Sequence, residues 1–184
     1  AAAILGGEVT IDNVDARITR GGQGDARFFD LLEQMGCHVR RAKNGVSVAR
    51  VGALRGVRAD MRDFSDSFPS LAAVATVAQG STELPGLGYT RRHESDRIAA
   101  VAAAVRALGA HADEFADGIV IHPASLHGAT VRAAGDHRIA MAFSVLGLSV
   151  PGVIIDGADS VTKTFPEFYA MLFTMHGTIM VFFV

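Results

Sequence analysis

The chain has 184 residues, enough to bury a substantial core in one domain or a pair of small ones. Hydrophobic residues make up 49% and charged residues 20%, which excludes a disordered chain, and 17 basic against 19 acidic residues with no tryptophan leave no basic face for nucleic acid. A single cysteine excludes an internal disulfide and agrees with a reducing, cytoplasmic setting, and no apolar run reaches the roughly 18 residues of a membrane helix.

Residues 1–7 (AAAILGG) read as the last turns of a helix and its glycine cap, in a chain that begins inside a larger protein. A strand is predicted over 8–14. Gly21, Gly22, Gln23 and Gly24 resemble a phosphate loop, but no Lys-Ser or Lys-Thr follows as a Walker motif requires. Asp25 reads as the cap of a helix carrying Phe28, Leu31, Leu32 and Met35, which Gly36 stops. Cys37 follows as a core thiol, and Asn44-Gly45 predicts a hairpin turn between two short strands. A helix carrying Leu71, Val74 and Val77 is predicted over 70–79, with Asp66 or Ser67 as its cap, and a strand over 81–84. The next helix is entered at Arg91–Arg97 and carries Ile98, Val101, Val105 and Leu108. Gly109 and a hairpin around Asp117-Gly118 repeat the earlier pattern. Helices at 137–147 and 165–175 flank a strand at 152–156, and the tail to 184 reads as a strand or disordered. Helices alternating with glycine-bounded hairpins argue against a purely parallel sheet. They suggest an α/β domain of about three similar packed modules, roughly 1–58, 59–127 and 128–184.

The chemistry concentrates where cations meet helix starts. Asp136 can cap the helix of Ile139, Ala142 and Phe143, yet Arg138 stands in its first turn, where the dipole disfavours a positive charge. Arg97 and Lys163, the latter just before Pro166, are placed alike, so three helices present a cation at the positive end. His93 and Arg97, four apart, would share a helical face beside Glu94. Two readings follow. Each cation could be a surface charge with a local counter-ion, such as Asp136 for Arg138 or Glu94 for Arg97; or the helix ends could converge into a clamp for a ligand bearing phosphate and carboxylate. Asp66 is either a cap or, among those cations, a group able to accept a proton from a substrate hydroxyl. The histidines show no metal-ligand spacing with Cys37 or with one another, so no metal is expected.

The stretches 23–28 (QGDARF), 60–66 (DMRDFSD), 93–97 (HESDR), 135–143 (GDHRIAMAF) and 163–166 (KTFP) occur together and in order. In them the chain resembles the 5-enolpyruvylshikimate-3-phosphate synthase family, across almost its whole length. The resemblance implies an inside-out α/β barrel of βαβαββ-type units, one of the family's two domains and incomplete at its N-terminus. It implies transfer of the enolpyruvyl group of phosphoenolpyruvate to the 5-hydroxyl of shikimate 3-phosphate, with no organic cofactor, in a full-length protein that is a monomer. By position, Arg97, Arg138 and Lys163 would bind phosphoenolpyruvate. Asp66 would accept the hydroxyl proton, and Glu94 would deliver and remove the methylene proton, which asks for a carboxyl poised near neutrality. Asp66, His93 and Tyr89 would touch shikimate 3-phosphate. Many members have Lys at the place of His93, and a smaller polar residue at that of Tyr89. Two other readings are a sister transferase acting on UDP-N-acetylglucosamine, which does not carry the Asp-His-Arg and Lys-Thr-Phe-Pro pair, and a non-catalytic half-domain that only binds. With the family's other substrate-binding segments absent, the chain alone is expected to be inactive.

Overall fold

The computed structural model describes residues 1–13 and 24–175; the glycine-rich residues 21–23, the end of the first predicted strand at Val14 and the tail from 176 lie outside them. The chain opens with a short helix, α1 (Ala2–Leu5), that Gly6 ends at φ 84°, followed by strand β1 (Gly7–Asp12). Helix α2 (Arg27–Gln34) leads through Gly36, at φ 106°, into the hairpin β2 (Cys37–Ala42) and β3 (Gly45–Arg50). The three strands form an antiparallel sheet in the order β1-β3-β2. Along β2, Cys37 and Val39 face the core while His38 and Arg40 face solvent, the period-2 pattern of a half-buried strand. Burial raises the pKa of the Cys37 thiol, which accords with a core role.

The second sheet repeats the plan. Helix α3 (Phe68–Ala75), strand β4 (Thr82–Pro85) and helix α4 (Arg97–Ala107) precede the hairpin β5 (His111–Phe115) and β6 (Gly118–His122), and the sheet order is β4-β6-β5. Parallel bridges from Arg55 to Gln79 and from Arg58 to Glu83 extend this sheet beyond β4. A third, parallel pair joins β7 (Thr130–Arg132) to β8 (Ile154–Asp156), on either side of helix α5 (His137–Gly147), and α6 (Phe168–Met175) follows. Strand β7 has no counterpart among the predicted elements. It is three residues long and only Val131 is buried, too short to show a period.

Helix α3 packs against both α4 and α5. In α3 every residue except Ser70 is buried, and Ile98, Val101 and Val105 of α4 and Ile139, Phe143 and Leu146 of α5 belong with it to one apolar cluster. Alanines along α3 and α4 let the helix backbones approach closely without surrendering helix propensity. Side-chain hydrogen bonds join Asp66, ahead of α3, to Arg97 at the start of α4 and Arg138 in the first turn of α5, so these three helix starts lie together. Among the described residues no helix is long and apolar enough to cross a membrane.

Several predicted starts shift. Asp25 does not cap α2; it lies in a 3₁₀ turn, Gly24–Ala26, and its carboxylate accepts from Ser67 Oγ at 3.0 Å. Helix α4 begins at Arg97 and not at Arg91, because Asp96 accepts the Ala99 N–H and sets the cap there. Arg91 stays in the preceding 3₁₀ helix Gly88–Arg92, tied to Asp96 at 2.8 Å and Glu114 at 2.9 Å. Lys163 ends a separate 3₁₀ helix, Ala158–Lys163, and α6 starts only at Phe168.

The bridged segment at 55–58 has a sharp steric requirement. A Cβ at Gly56 would collide with the carbonyl oxygens of Ser81 and Gly80. The substitution Gly56→Ala is therefore expected to destabilise the fold by about 1–3 kcal/mol, read as a lower midpoint in urea denaturation.

Candidate functional site

Arg97 is the first residue of α4, and its side chain is 1% exposed. Its fork of donors is shared among carboxylates from separate elements. Nε donates to Asp136 Oδ2 at 2.7 Å, Nη1 to Asp66 Oδ1 at 2.9 Å and Nη2 to Glu94 Oε2 at 2.7 Å. A buried guanidinium in the first helical turn is doubly unfavourable, through desolvation and the dipole, and this set of carboxylates supplies the compensation. His93 Nδ1 lies 3.1 Å from Nη1; since arginine can only donate, Nδ1 is the acceptor and the ring proton sits on Nε2.

Asp136 caps α5 by accepting the Arg138 N–H at 3.0 Å, as the sequence suggested. It is not the counter-ion of the Arg138 side chain. That role belongs to Asp66, whose Oδ2 accepts from Arg138 Nη2 at 2.6 Å, while the Asp136 carboxylate is spent on Arg97. Asp66 sits in the 3₁₀ turn Ser65–Ser67 ahead of α3 and caps nothing. Lys163 Nζ donates to Glu94 Oε1 at 3.0 Å. Arg97, Arg138 and Lys163 are thus matched one for one by Asp66, Glu94 and Asp136.

The cations predicted from sequence come together, but for partly different reasons. Arg97 and Arg138 do stand in first helical turns. Lys163 stands at the C-terminal end of its 3₁₀ helix, where the dipole favours a cation. His93 and Glu94 precede the α4 cap, so their approach to Arg97 follows from the tight 93–96 turn and not from a shared helical face.

Glu94 departs from expectation. The hydrogen bond from Lys163 leads in lowering its pKa from 4.5 to about 2, aided by a backbone hydrogen bond and the nearby Arg97 and Lys163 charges against the opposing effect of burial. It is a firm anion here, not a carboxyl poised near neutrality. His137, the first residue of α5, is buried, and that burial together with the neighbouring Arg138 pulls its pKa down. The sequence points to Asp136 as a cap and a counter-ion of Arg138 but not as the partner of Arg97, and it does not single out His137, which reads as an ordinary part of a helix start.

Beside the ion cluster lies an open cleft of about 370 Å³ lined by Tyr89, Arg62, Asp63, Ser65, Asp25 and Asp66. Tyr89 donates its hydroxyl to the Arg62 carbonyl at 2.6 Å and meets the His93 ring edge-to-face at 5.5 Å. Asp66 therefore belongs both to the cleft and to the cation cluster. One carboxylate faces a volume the size of a small polar metabolite while touching the cations that would hold an anion.

Comparison with known proteins finds one family over almost the whole chain. The family described as EPSP synthase (3-phosphoshikimate 1-carboxyvinyltransferase) matches residues 1–172. The chain is 43% identical over 171 residues to the 3-phosphoshikimate 1-carboxyvinyltransferase of Methanosphaerula palustris, covering 93% of this chain and 40% of that protein. The corresponding protein of Trichormus variabilis is 37% identical over 177 residues, 96% of this chain and 41% of the relative. Among solved structures, the EPSP synthase of Acinetobacter baumannii superposes with a TM-score of 0.77 at 29% identity, over 93% of this chain and 42% of that one. The enolpyruvyl transferase NikO of Streptomyces tendae shares the fold, with a TM-score of 0.69 at 24% identity, over 87% of this chain and 36% of that one. The chain spans about two-fifths of the length of these curated relatives.

The depressed pKa of Glu94 has a definite sign in stability. Its ion pairs contribute fully above the usual carboxyl value of 4.5 and are lost as pH falls towards about 2. Urea titrations between those limits are expected to show a steeper loss of stability for the wild-type chain than for Glu94→Gln, which cannot take up that proton.

Proposed function

The chain belongs to the EPSP synthase family, and from that premise we propose that it forms the phosphoenolpyruvate-binding side of an enzyme transferring the enolpyruvyl group to the 5-hydroxyl of shikimate 3-phosphate. The observation that carries this reading is the meeting of Arg97 and Arg138, from the first turns of α4 and α5, with Lys163, from the end of a 3₁₀ helix, around Asp66 and Glu94. Phosphoenolpyruvate presents a carboxylate and a phosphate, and Arg forks and a Lys point charge suit both. The departing phosphate gains charge in the reaction, so the same cations would stabilise the transition state more than the ground state.

In the proposed addition, the acceptor oxygen bonds to C2 of phosphoenolpyruvate as Asp66 takes the hydroxyl proton. Glu94, protonated at that stage, gives a proton to the C3 methylene, which becomes a methyl group. In the elimination, the Glu94 carboxylate removes a methyl proton, the C2–C3 double bond re-forms and the C2–O bond to phosphate breaks. Phosphate leaves with the bonding electrons and takes the proton held by Asp66, so both carboxyl groups return to their starting states, and no cofactor is called for. Asp66 suits its part because it borders the cleft beside Tyr89, where we place the acceptor with His93. Glu94 suits its part only once its cations are drawn away. A ligand anion competing for Lys163 and Arg97 would relieve the contacts that hold its pKa at about 2.

Because the cluster's cations are already offset by its own carboxylates, the charge of phosphoenolpyruvate calls for additional positive groups. We assign these to the remainder of a two-domain, cytoplasmic protein, and expect no turnover from the 184-residue chain alone. The binding half of the reading is directly testable. Calorimetric titration of the chain with phosphoenolpyruvate is expected to give at least about tenfold weaker affinity for Arg138→Ala than for the wild type, the loss of a charge-assisted contact. Equal affinities would overturn the assignment.

A further inference from the structure

Asp136 is completely buried, a placement unfavourable to a carboxylate unless charge and hydrogen bonds compensate it. Its two oxygens divide the work. Oδ1 takes the backbone N–H of Arg138 at 3.0 Å, and Oδ2 takes Arg97 Nε at 2.7 Å and Ser95 Oγ at 3.2 Å. The cap does not require a charge, since Asn or Ser serves as well at that position. The charge answers to Arg97.

A guanidinium is planar, so a contact at Nε fixes the plane in which Nη1 and Nη2 lie. Those two donors face Asp66 and Glu94, which are 43% and 28% exposed and lie on the open side of the cluster. Arg97 is therefore anchored from within by a carboxylate that solvent does not reach, and engaged from without by carboxylates that a ligand can displace. The same buried carboxylate holds the first turn of α5, from which Arg138 projects. Asp66 mirrors it from ahead of α3, also touching both arginines, but at the exposed edge.

We propose that Asp136 is a positioning residue: it sets the plane of Arg97 and the start of α5 together, so that the two arginines stand preassembled for one anionic ligand. The proposal deepens the phosphoenolpyruvate reading and rests on it for the ligand's identity. Its geometric content is independent of that reading and can be measured separately.

The test is ¹⁵N–¹H NMR of the 184-residue chain, following exchange of the Arg97 Nε–H, together with phosphoenolpyruvate titrations of the wild type and Asp136→Asn. The asparagine keeps the cap and removes the charge. In the wild type the Arg97 Nε–H should be protected from exchange. In Asp136→Asn the backbone amide spectrum should be retained, the Nε–H protection lost and the phosphoenolpyruvate Kd raised at least about tenfold. Free exchange of the wild-type Nε–H would overturn the proposal even if Asp136→Asn failed to fold. So would protection that survives in a folded Asp136→Asn, or ligand affinity that the substitution leaves unchanged while the wild type binds. A wild-type chain whose Nε–H is protected through Asp136 but which does not bind phosphoenolpyruvate would support the positioning role and count against the ligand.

Discussion

The site depends on the burial of one guanidinium. Arg97 is almost without solvent contact at the end of a helix where positive charge is least welcome, so every donor it carries needs an acceptor within the protein. Those acceptors come from the turn ahead of α3, the turn ahead of α4 and the cap of α5. Satisfying Arg97 thus draws together the starts of the helices that form the centre of the fold. The apolar faces of α3, α4 and α5 fix their packing, and the ion cluster fixes what emerges at that end.

The same economy creates a tension at the centre of the chemistry. Asp66 and Glu94 neutralise the cations, yet the proposed reaction asks them to handle protons. Glu94 in particular is held as an anion by Lys163 and Arg97. In the proposed reaction a substrate anion would resolve the tension by taking over the cations, each contact it gains freeing a protein carboxylate. Catalytic readiness of Glu94 is in this view a consequence of binding. Asp136 stays out of the exchange because it is buried and its partners lie inside the protein, so it can keep Arg97 in place while the outer carboxylates let go.

Local signals in the sequence were legible where local physics decides the structure. The Asp136 cap, the glycine stops at Gly36 and Gly109, and the hairpins at Asn44-Gly45 and Asp117-Gly118 were all readable and all occur. What could not be read was pairing across distance. Asp136 stands two residues from Arg138 and looked like its counter-ion, whereas the actual partner, Asp66, comes from another repeat of the chain. The start of α4 falls later than the sequence reading has it, because the apolar period does not mark a boundary and the cap is Asp96, which accepts the Ala99 N–H. Lys163 was assigned to the wrong helix since Pro166 is equally at home in the turn that precedes one. The ordered motifs nonetheless identified the family, because they record the assembled site even where their local geometry was misjudged.

In the proposed function Arg97, Arg138 and Lys163 form a single anion cradle whose outer carboxylates yield to the ligand. The decisive test is a crystal structure of the chain bound to phosphoenolpyruvate. Ligand oxygens are expected within hydrogen-bonding distance of Arg97 Nη1 or Nη2, of Arg138 and of Lys163 Nζ, with the Lys163–Glu94 pair broken and Arg97 Nε still on Asp136. A ligand bound elsewhere, or one bound here with the Lys163–Glu94 pair intact at its present 3.0 Å, would contradict it.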